Sequence, residues 1–282
     1  MTLVCNEVWR GRSSSFLRAV FATSLWLLLA MPGASAEPAA EEQDDPTRPA
    51  TTFDFRTHFE NDAMSGQNDR LSLIFRRNAK WDLDDGWKLA TRIDLPITFA
   101  NAVTDANPNG NYEAGLGRAL VSAYLADEID DRWAYAFGSR IRAPASGSAF
   151  GSGNWEIAPI VAARYMLPEI TDGSYFVPQL RYAQSFAQSF SSRSTSNLQF
   201  APQLKVALPD KWFVIAWPST DIRWNFGPKA SGQTGRLFFP LDLAIGHNLT
   251  QARTVSLEVS APVIRDYPVY RIKIEARLSA QF

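Results

Sequence analysis

The sequence predicts an all-β protein, a transmembrane up-and-down antiparallel β-barrel of about 12 strands of the outer-membrane type. Three observations predict this fold. Side chains alternate between apolar and polar with a period of two over long segments, the connections between those segments alternate between short and long, and the chain begins with an export signal. The mean hydropathy of −0.18 conceals the pattern, because alternation averages out.

The composition excludes several classes of protein. The chain has 28 basic and 29 acidic residues, without the basic excess that nucleic-acid-binding proteins carry. Its 46% hydrophobic and 12% aromatic residues exclude a disordered chain. Beyond residue 36 no apolar run approaches the roughly 20 residues that a membrane-spanning helix needs. The sequence therefore predicts neither a nucleic-acid partner nor a helical membrane protein.

The amino terminus has the three-part layout of a secretory signal. Arg10, Arg12 and Arg18 precede the apolar stretch 19–31, and small residues follow at 34–36. We predict that residues 1–36 form a signal peptide that is cleaved on export. The single cysteine, Cys5, would leave with it.

The rest of the chain divides into two predicted segments. Residues 37–50 are acidic, rich in proline and without periodicity, which predicts a disordered periplasmic linker. Residues 51–282 are predicted to form the barrel, with strands near 52–60, 69–81, 87–99, 114–126, 132–143, 154–167, 174–186, 197–208, 211–226, 236–246, 252–264 and 269–282. To cross an apolar band of about 25 Å at a tilt near 40°, a strand needs roughly ten residues, and these segments fit.

The connections predict the topology. Short turns follow every second strand, at 83–86, 129–131, 170–173, 208–211 and 247–250, and longer loops lie between them. Outer-membrane barrels have short periplasmic turns, longer external loops and, when the strand number is even, both termini inside. Aromatic residues lie just past four of the turns and predict an interfacial aromatic girdle: Trp87, Trp133, Tyr175 with Phe176, and Trp212. Seven prolines inside the strands, among them Pro96, Pro202, Pro218 and Pro240, predict bulges or kinks in the wall.

Alternation predicts which charged side chains line the lumen. By this reasoning sixteen cationic and eight anionic side chains face inward. The predicted pore-lining set is Arg56, Arg76, Arg92, Asp94, Arg140, Arg164, Arg181, Arg223, Asp242, Glu258, Arg271, Lys273, Glu275 and Arg277. A water-filled lumen with this surplus would favour anionic solutes, whereas a packed network of ion pairs would close the barrel. Both alternatives remain open from the sequence.

Two stretches resemble known outer-membrane sequences. Residues 151–159 (GSGNWEIAP), with the hairpins that follow, resemble the outer-membrane family associated with the meta-pathway of phenol degradation. The resemblance spans about 87–282 and implies a transporter-like barrel for small, often aromatic compounds. It also implies an architectural role for Gly151, Gly153, Trp155 and Pro159. The last strand, ending at Phe282, resembles the terminal strand by which such barrels are recognised for insertion, which implies the barrel-insertion machinery as a partner.

An enzymatic alternative rests on the end of the first strand. His58 is predicted to point inward, and the sequence from Phe59 to Asp62 resembles the acidic start of lipid A deacylase barrels. In that alternative His58, Glu60, Asn61 and Asp62 would form the catalytic or calcium-binding residues. A closed structural barrel is a third possibility. We predict a channel or transporter for small, aromatic or anionic solutes, not an enzyme, without cofactor or metal, that lies among the lipids and lipopolysaccharide of the bacterial outer membrane.

Overall fold

The structure is a computed structural model, and it describes residues 45–61, 69–103, 107–229, 233–267 and 269–282. The predicted signal peptide, 1–36, and residues 37–44 of the predicted linker lie outside these ranges. Within the described residues no helix is long and apolar enough to cross a membrane.

The described residues form fourteen β-segments. Two short 3-10 turns lie between them, at Asp84–Gly86 and Pro209–Lys211. The segments are β1 Thr52–Asn61, β2 Asp69–Asp82, β3 Lys88–Ala100, β4 Glu113–Leu116, β5 Leu120–Glu128, β6 Trp133–Arg142, β7 Asn154–Met166, β8 Tyr175–Gln188, β9 Ser196–Ala207, β10 Trp212–Ala216, β11 Ile222–Asn225, β12 Leu237–Asn248, β13 Arg253–Arg265 and β14 Ile272–Gln281.

These segments make one closed barrel. Each pairs antiparallel with its neighbours, and β1 closes the sheet against β14, from Thr52 opposite Gln281 to Asn61 opposite Ile272. β4 and β5 both pair with β3, and β10 and β11 both pair with β9 and β12, so each couple is one interrupted crossing of the wall. The barrel therefore has 12 strands, which confirms the predicted fold. The five short turns, the start of β1 and the end of β14 lie at one end of the barrel, the turn end. The opposite end, which the longer connections join, is the loop end.

The first interruption, between β4 and β5, lies opposite Pro96. The Gly117 N–H donates to the Pro96 carbonyl at 3.0 Å, and the register of β3 moves by one residue between its two partners. A Cβ at Gly117 would lie 2.5 Å from Thr98 Oγ1, so this close approach requires glycine.

The second interruption, between β10 and β11, gathers three of the strand prolines. It contains Pro218, and Trp217 before it adopts a positive φ of 51°. Pro202 on β9 lies opposite the gap, and the register of β12 shifts between Phe239 and Pro240. Because proline cannot donate a ladder hydrogen bond, it is placed where the ladder is already broken.

The outer surface of the barrel is apolar. Along β7 the side chains of Trp155, Ile157 and Val161 are exposed, and the alternate residues are buried inside. At the turn end Trp133 and Trp212 are both 45% exposed, as an interfacial girdle requires. Tyr175 was predicted to join this girdle, and the prediction is wrong: its side chain is fully buried and faces the lumen. The apolar outer surface of the barrel suits the hydrocarbon of a bilayer.

Candidate functional site

The lumen contains a cavity of about 500 Å³. Nine of the predicted pore-lining residues border it: Arg56, Arg76, Arg92, Asp94, Arg140, Arg181, Arg223, Lys273 and Glu275. Four more, Arg164, Asp242, Glu258 and Arg277, are buried inside the barrel without bordering this cavity. A second cavity of about 240 Å³ at the loop end shares Arg118, Arg142 and Arg223 with the first. The alternation thus places thirteen of the fourteen predicted side chains inside the wall.

Arg271 is the exception. Its side chain is exposed, and it lies just before β14, which begins at Ile272. Its backbone N–H donates to the Asn61 carbonyl at 3.0 Å, at the loop end of the barrel. Alternation predicts direction only within a paired strand, so the inward assignment of Arg271 is wrong.

Diagonal ion pairs fill the lumen face of β1, β13 and β14. The register sets Arg56 opposite Arg277 and Glu258 opposite Glu275, two pairs of like charge. The charges are balanced by other contacts: Glu275 lies 3.1 Å from Arg56, diagonally across the strand pair, and 3.1 Å from Arg277, two residues along β14. Lys273 forms an ion pair with Glu258. This part of the wall is a nearly neutral, closely packed network.

A second set of pairs lies beside that network, on β2, which pairs with β1, and on β3. Arg76 binds Asp94 in the bidentate geometry, with Nε–Oδ1 at 2.6 Å and Nη2–Oδ2 at 2.7 Å. Arg92 donates to Asn78 Oδ1 at 3.0 Å. These contacts hold the side chains of β2 and β3 against the wall.

The wall from β5 to β11 is rich in arginine. Arg118 and Arg142 share the Glu156 carboxylate, each at 3.4 Å, and Arg181 and Arg223 share Asp221. Arg140 donates from Nη2 to Gln199 Oε1 at 2.6 Å. These five arginines face two carboxylates, so they give this part of the lumen a surplus of positive charge. Gln199, which accepts from Arg140 and donates to Asn197 Oδ1 at 2.7 Å, was not predicted as a site residue, because its polar, inward position in the alternation was its only signal.

Residues 45–50, which we name the lumen segment, lie inside the barrel at the turn end. Asp45 Oδ1 accepts hydrogen bonds from the Thr47 N–H at 2.8 Å and from Thr47 Oγ1 at 2.6 Å, which closes a tight turn. Both residues are buried, Asp45 to 3% exposure and Thr47 to 1%. Burial raises the pKa of the Asp45 carboxyl, against the Thr47 hydrogen bonds and the positive charges of Arg164 and Lys205. This part of the predicted linker is thus ordered and enclosed, which differs from the exposed linker that the sequence predicts.

The lumen segment reaches from one side of the wall to the other. On one side it borders Asn78, Ala90 and Tyr124, on β2, β3 and β5. On the other side the Arg48 guanidinium lies 5.8 Å from the centre of the Tyr175 ring on β8. The segment therefore narrows the turn end of the lumen. Its Pro46 forms part of the boundary of the large cavity.

His58, the centre of the enzymatic alternative, is held by two carboxylates. Its Nδ1 lies 3.0 Å from Glu275 Oε2, and its Nε2 lies 3.3 Å from Glu60 Oε2. Glu60 in turn pairs with Arg70 at 3.2 Å. Both ring nitrogens are therefore engaged by the ion-pair network, and neither activates a serine hydroxyl.

The neighbouring acidic residues are also engaged. Asn61 donates to Asp69 Oδ1 at 2.5 Å, and Asp62 lies outside the described residues. Within the described part of the chain no three His, Cys, Asp or Glu side chains are grouped so as to hold a metal ion. The structure does not assemble His58, Glu60 and Asn61 into a nucleophile and base pair or a calcium site.

Comparison with known protein families identifies the family of this chain. Residues 44–261 match the family described as MetA-pathway of phenol degradation. The chain belongs to this family. The matched region begins at residue 44, whereas the resemblance noted in the sequence begins at about residue 87. The match therefore includes the lumen segment and the wall from β1 into β13. No curated protein sequence is significantly similar to the chain.

Solved structures with the same fold are outer-membrane barrels. An outer membrane channel from Pseudomonas putida F1 is 15% identical and has a TM-score of 0.62, over 88% of this chain and 100% of its own. The NanC porin is 11% identical with a TM-score of 0.52, over 82% of this chain and 98% of its own. The outer membrane phospholipase A of Escherichia coli is 9% identical, over 86% and 95%, with a TM-score of 0.48. The likenesses to the Pseudomonas putida channel and to the NanC porin show the outer-membrane barrel fold of this family member.

The motif residues that carry the family resemblance lie where the wall meets the loop end. Gly151 has a φ of 153°, and a Cβ there would lie 3.1 Å from Arg118 Cγ. A Cβ at Gly153 would lie 2.6 Å from the Phe190 carbonyl oxygen. Trp155 and Pro159 lie on the exposed face of β7. These contacts support the prediction that the motif is architectural, with Gly151 leaving room for an arginine of the lumen.

Proposed function

We propose that this family member is an outer-membrane channel for small solutes with a preference for anions. The observation that carries the proposal is the lumen cavity of about 500 Å³, which is bordered by five arginines whose nearby carboxylates are those of Glu156 and Asp221. The five are Arg118, Arg140, Arg142, Arg181 and Arg223. Charges of one sign in a cleft with low-dielectric walls focus the field on the solute path. Rings of Arg and Lys are the usual anion-selecting elements of pores.

The dimensions and the lining support small solutes. The cavity volume lies within the roughly 300–1,000 Å³ that small-molecule sites occupy. Tyr124, Phe150, Trp217 and Tyr267 supply aromatic surface among the charged groups. An aromatic or partly apolar anion therefore fits this lining better than a fully hydrated ion.

Ion selectivity in a planar bilayer tests the proposal. With the purified protein in a potassium chloride gradient, we expect stepwise increases in current as single channels insert. The reversal potential should have the sign expected for a membrane that is more permeable to chloride than to potassium. Protein-free detergent is the control. A reversal potential of the cation sign would contradict the anion preference, and a protein that inserts without conducting would support the closed barrel instead.

We also propose that the chain is exported by cleavage after Ala36 and inserted by the barrel-insertion machinery through its last strand. Phe282 is 62% exposed at the end of that strand, where its side chain is accessible to a partner. Outer membranes isolated from cells should contain a chain that begins at Glu37. A chain that keeps its first 36 residues, found by amino-terminal sequencing, would exclude the cleaved signal.

A further inference from the structure

We propose that the lumen contains a binding site for a small organic carboxylate with an apolar body, and that Arg140 is its centre. The inference rests on the proposed channel function, because the site lies on the solute path. It goes beyond a general preference for anions, since it assigns a saturable site with a defined ligand chemistry.

The strand register brings the cationic groups of the site to one level of the barrel. Arg181 on β8 pairs with Gln199 on β9, and Gln199 pairs with Arg223 on β11. Arg140 reaches the same level from β6, where it lies opposite the fully buried Ala158. Because Ala158 and Ala183, which lies at this level on the partner strand β8, have short side chains, the Arg140 guanidinium can extend across β7 and β8 to Gln199. We name Arg140, Arg181, Gln199 and Arg223 the arginine row.

Arg140 differs from its neighbours in its partners. Arg181 and Arg223 share the Asp221 carboxylate, whereas the protein partner of Arg140 is the neutral amide of Gln199. The side chain is 6% exposed and borders the cavity, and its Nε is buried without a hydrogen-bond partner. Among the described residues no ion pair joins Arg140 to a carboxylate, because Glu156, whose charge acts on it from farther away, pairs with Arg118 and Arg142. A buried guanidinium without an ion-pair partner is unfavourable, and an entering anion would supply one.

An apolar surface lies beside the guanidinium. Ser122 on β5 is the cross-strand partner of Arg140, so Leu120 and Tyr124, two residues to either side, face the lumen next to it. Both border the cavity. A Cβ at Gly138 would come within 2.8 Å of the Tyr124 Cδ1, so glycine leaves room for the ring. A ligand bound to Arg140 would place its body against these two side chains.

This combination selects the chemistry of the ligand. The planar guanidinium presents paired N–H donors that match a carboxylate bidentately. A carboxylate on an apolar body would also cover Leu120 and Tyr124, which inorganic phosphate or chloride would leave uncovered. A neutral phenol would cover the apolar surface but leave the Arg140 charge unpaired. We therefore expect carboxylates such as benzoate to be preferred over phosphate, chloride and phenol.

The test measures sodium benzoate binding to the whole mature protein in detergent, by the shift of its carboxylate ¹³C resonance, and benzoate current in bilayers. In the wild type we expect saturable binding and a current that levels off with concentration. Arg140→Gln should weaken binding about tenfold or more, as expected for the loss of a hydrogen bond between charged groups. Arg140→Lys should keep the chloride current but bind benzoate less well than the wild type. Lysine keeps the positive charge but lacks the paired N–H donors of the guanidinium that bind a carboxylate bidentately.

The matched control is Arg132→Gln, which removes one arginine at the turn end, where Arg132 pairs with Glu169 and is half exposed. It should bind benzoate like the wild type. Benzoate binding that does not saturate in a wild type that conducts chloride would overturn the site and leave the channel function standing. Equal affinities of wild type, Arg140→Gln and Arg140→Lys would also overturn it. Tighter binding of inorganic phosphate than of benzoate would overturn the assignment to a carboxylate.

Discussion

Removal of the lumen segment, residues 45–50, is expected to raise the single-channel conductance several-fold. The segment reaches from Asn78 and Ala90 on one side of the wall to Tyr175 on the other, and its Pro46 bounds the large cavity at the turn end. Because the conductance of a pore is limited by its narrowest section, an obstruction of this width should dominate the resistance. The barrel itself should fold, since the segment precedes β1 and contributes no strand to the sheet.

The comparison needs two variants, measured as single channels in planar bilayers. One deletes 45–50, and the other replaces it with six glycine and serine residues, which keeps the length but removes the Asp45–Thr47 turn and the Arg48 contact with Tyr175. Both should conduct more than the wild type, and the replaced segment should give flickering currents because it still occupies the space intermittently. If both variants conduct as the wild type does, the lumen segment does not limit the pore.

The strands of the wall could be predicted from the sequence because the pattern that identifies each strand lies within that strand and its adjoining turn. Alternation of side chains and the short turns place β7 and β14 within a few residues of their predicted bounds, since each strand signals its own faces. The two interruptions were signalled by Pro96 and Pro218, because proline removes a ladder donor wherever it stands. Alternation does not predict side-chain direction beyond the paired part of a strand. For that reason Arg271 was assigned inward although it is exposed.

The interior could be predicted only in part because its partners are distant in the chain. Alternation identifies Arg140 as inward, but its contact with Gln199 joins residues 59 apart and passes over two strands. The lumen segment has no periodicity, and the proline-rich, acidic composition of the stretch 37–50 to which it belongs predicts disorder. Its order comes from burial against β2, β3, β5 and β8, which form its surroundings only after the barrel has closed.

Substitution of Lys273 by methionine is expected to lower the free energy of unfolding by about 3–5 kcal/mol. Lys273 is 4% exposed and forms an ion pair with Glu258, which is 2% exposed. Its Nζ also donates to Thr220 Oγ1 at 2.7 Å and to the Ser219 hydroxyl, so it joins β14 to the interruption between β10 and β11. Without Lys273, Glu258 faces the Glu275 carboxylate opposite it with Arg277 at 3.7 Å as its remaining ion-pair partner.

Urea unfolding of the protein in lipid vesicles measures this effect, and the double variant Lys273→Met with Glu258→Gln separates its causes. If the loss comes from an uncompensated buried charge, the double variant should recover much of the stability that the single variant loses, because no unpaired carboxylate remains. The control, Arg132→Met, breaks an ion pair of 2.7 Å to Glu169 between half-exposed side chains and should lower the stability by about 1 kcal/mol or less. Equal losses for Lys273→Met and Arg132→Met would mean that water reaches Glu258 inside the lumen. The diagonal network would then be a hydrated lining of the channel and not part of what holds the barrel together.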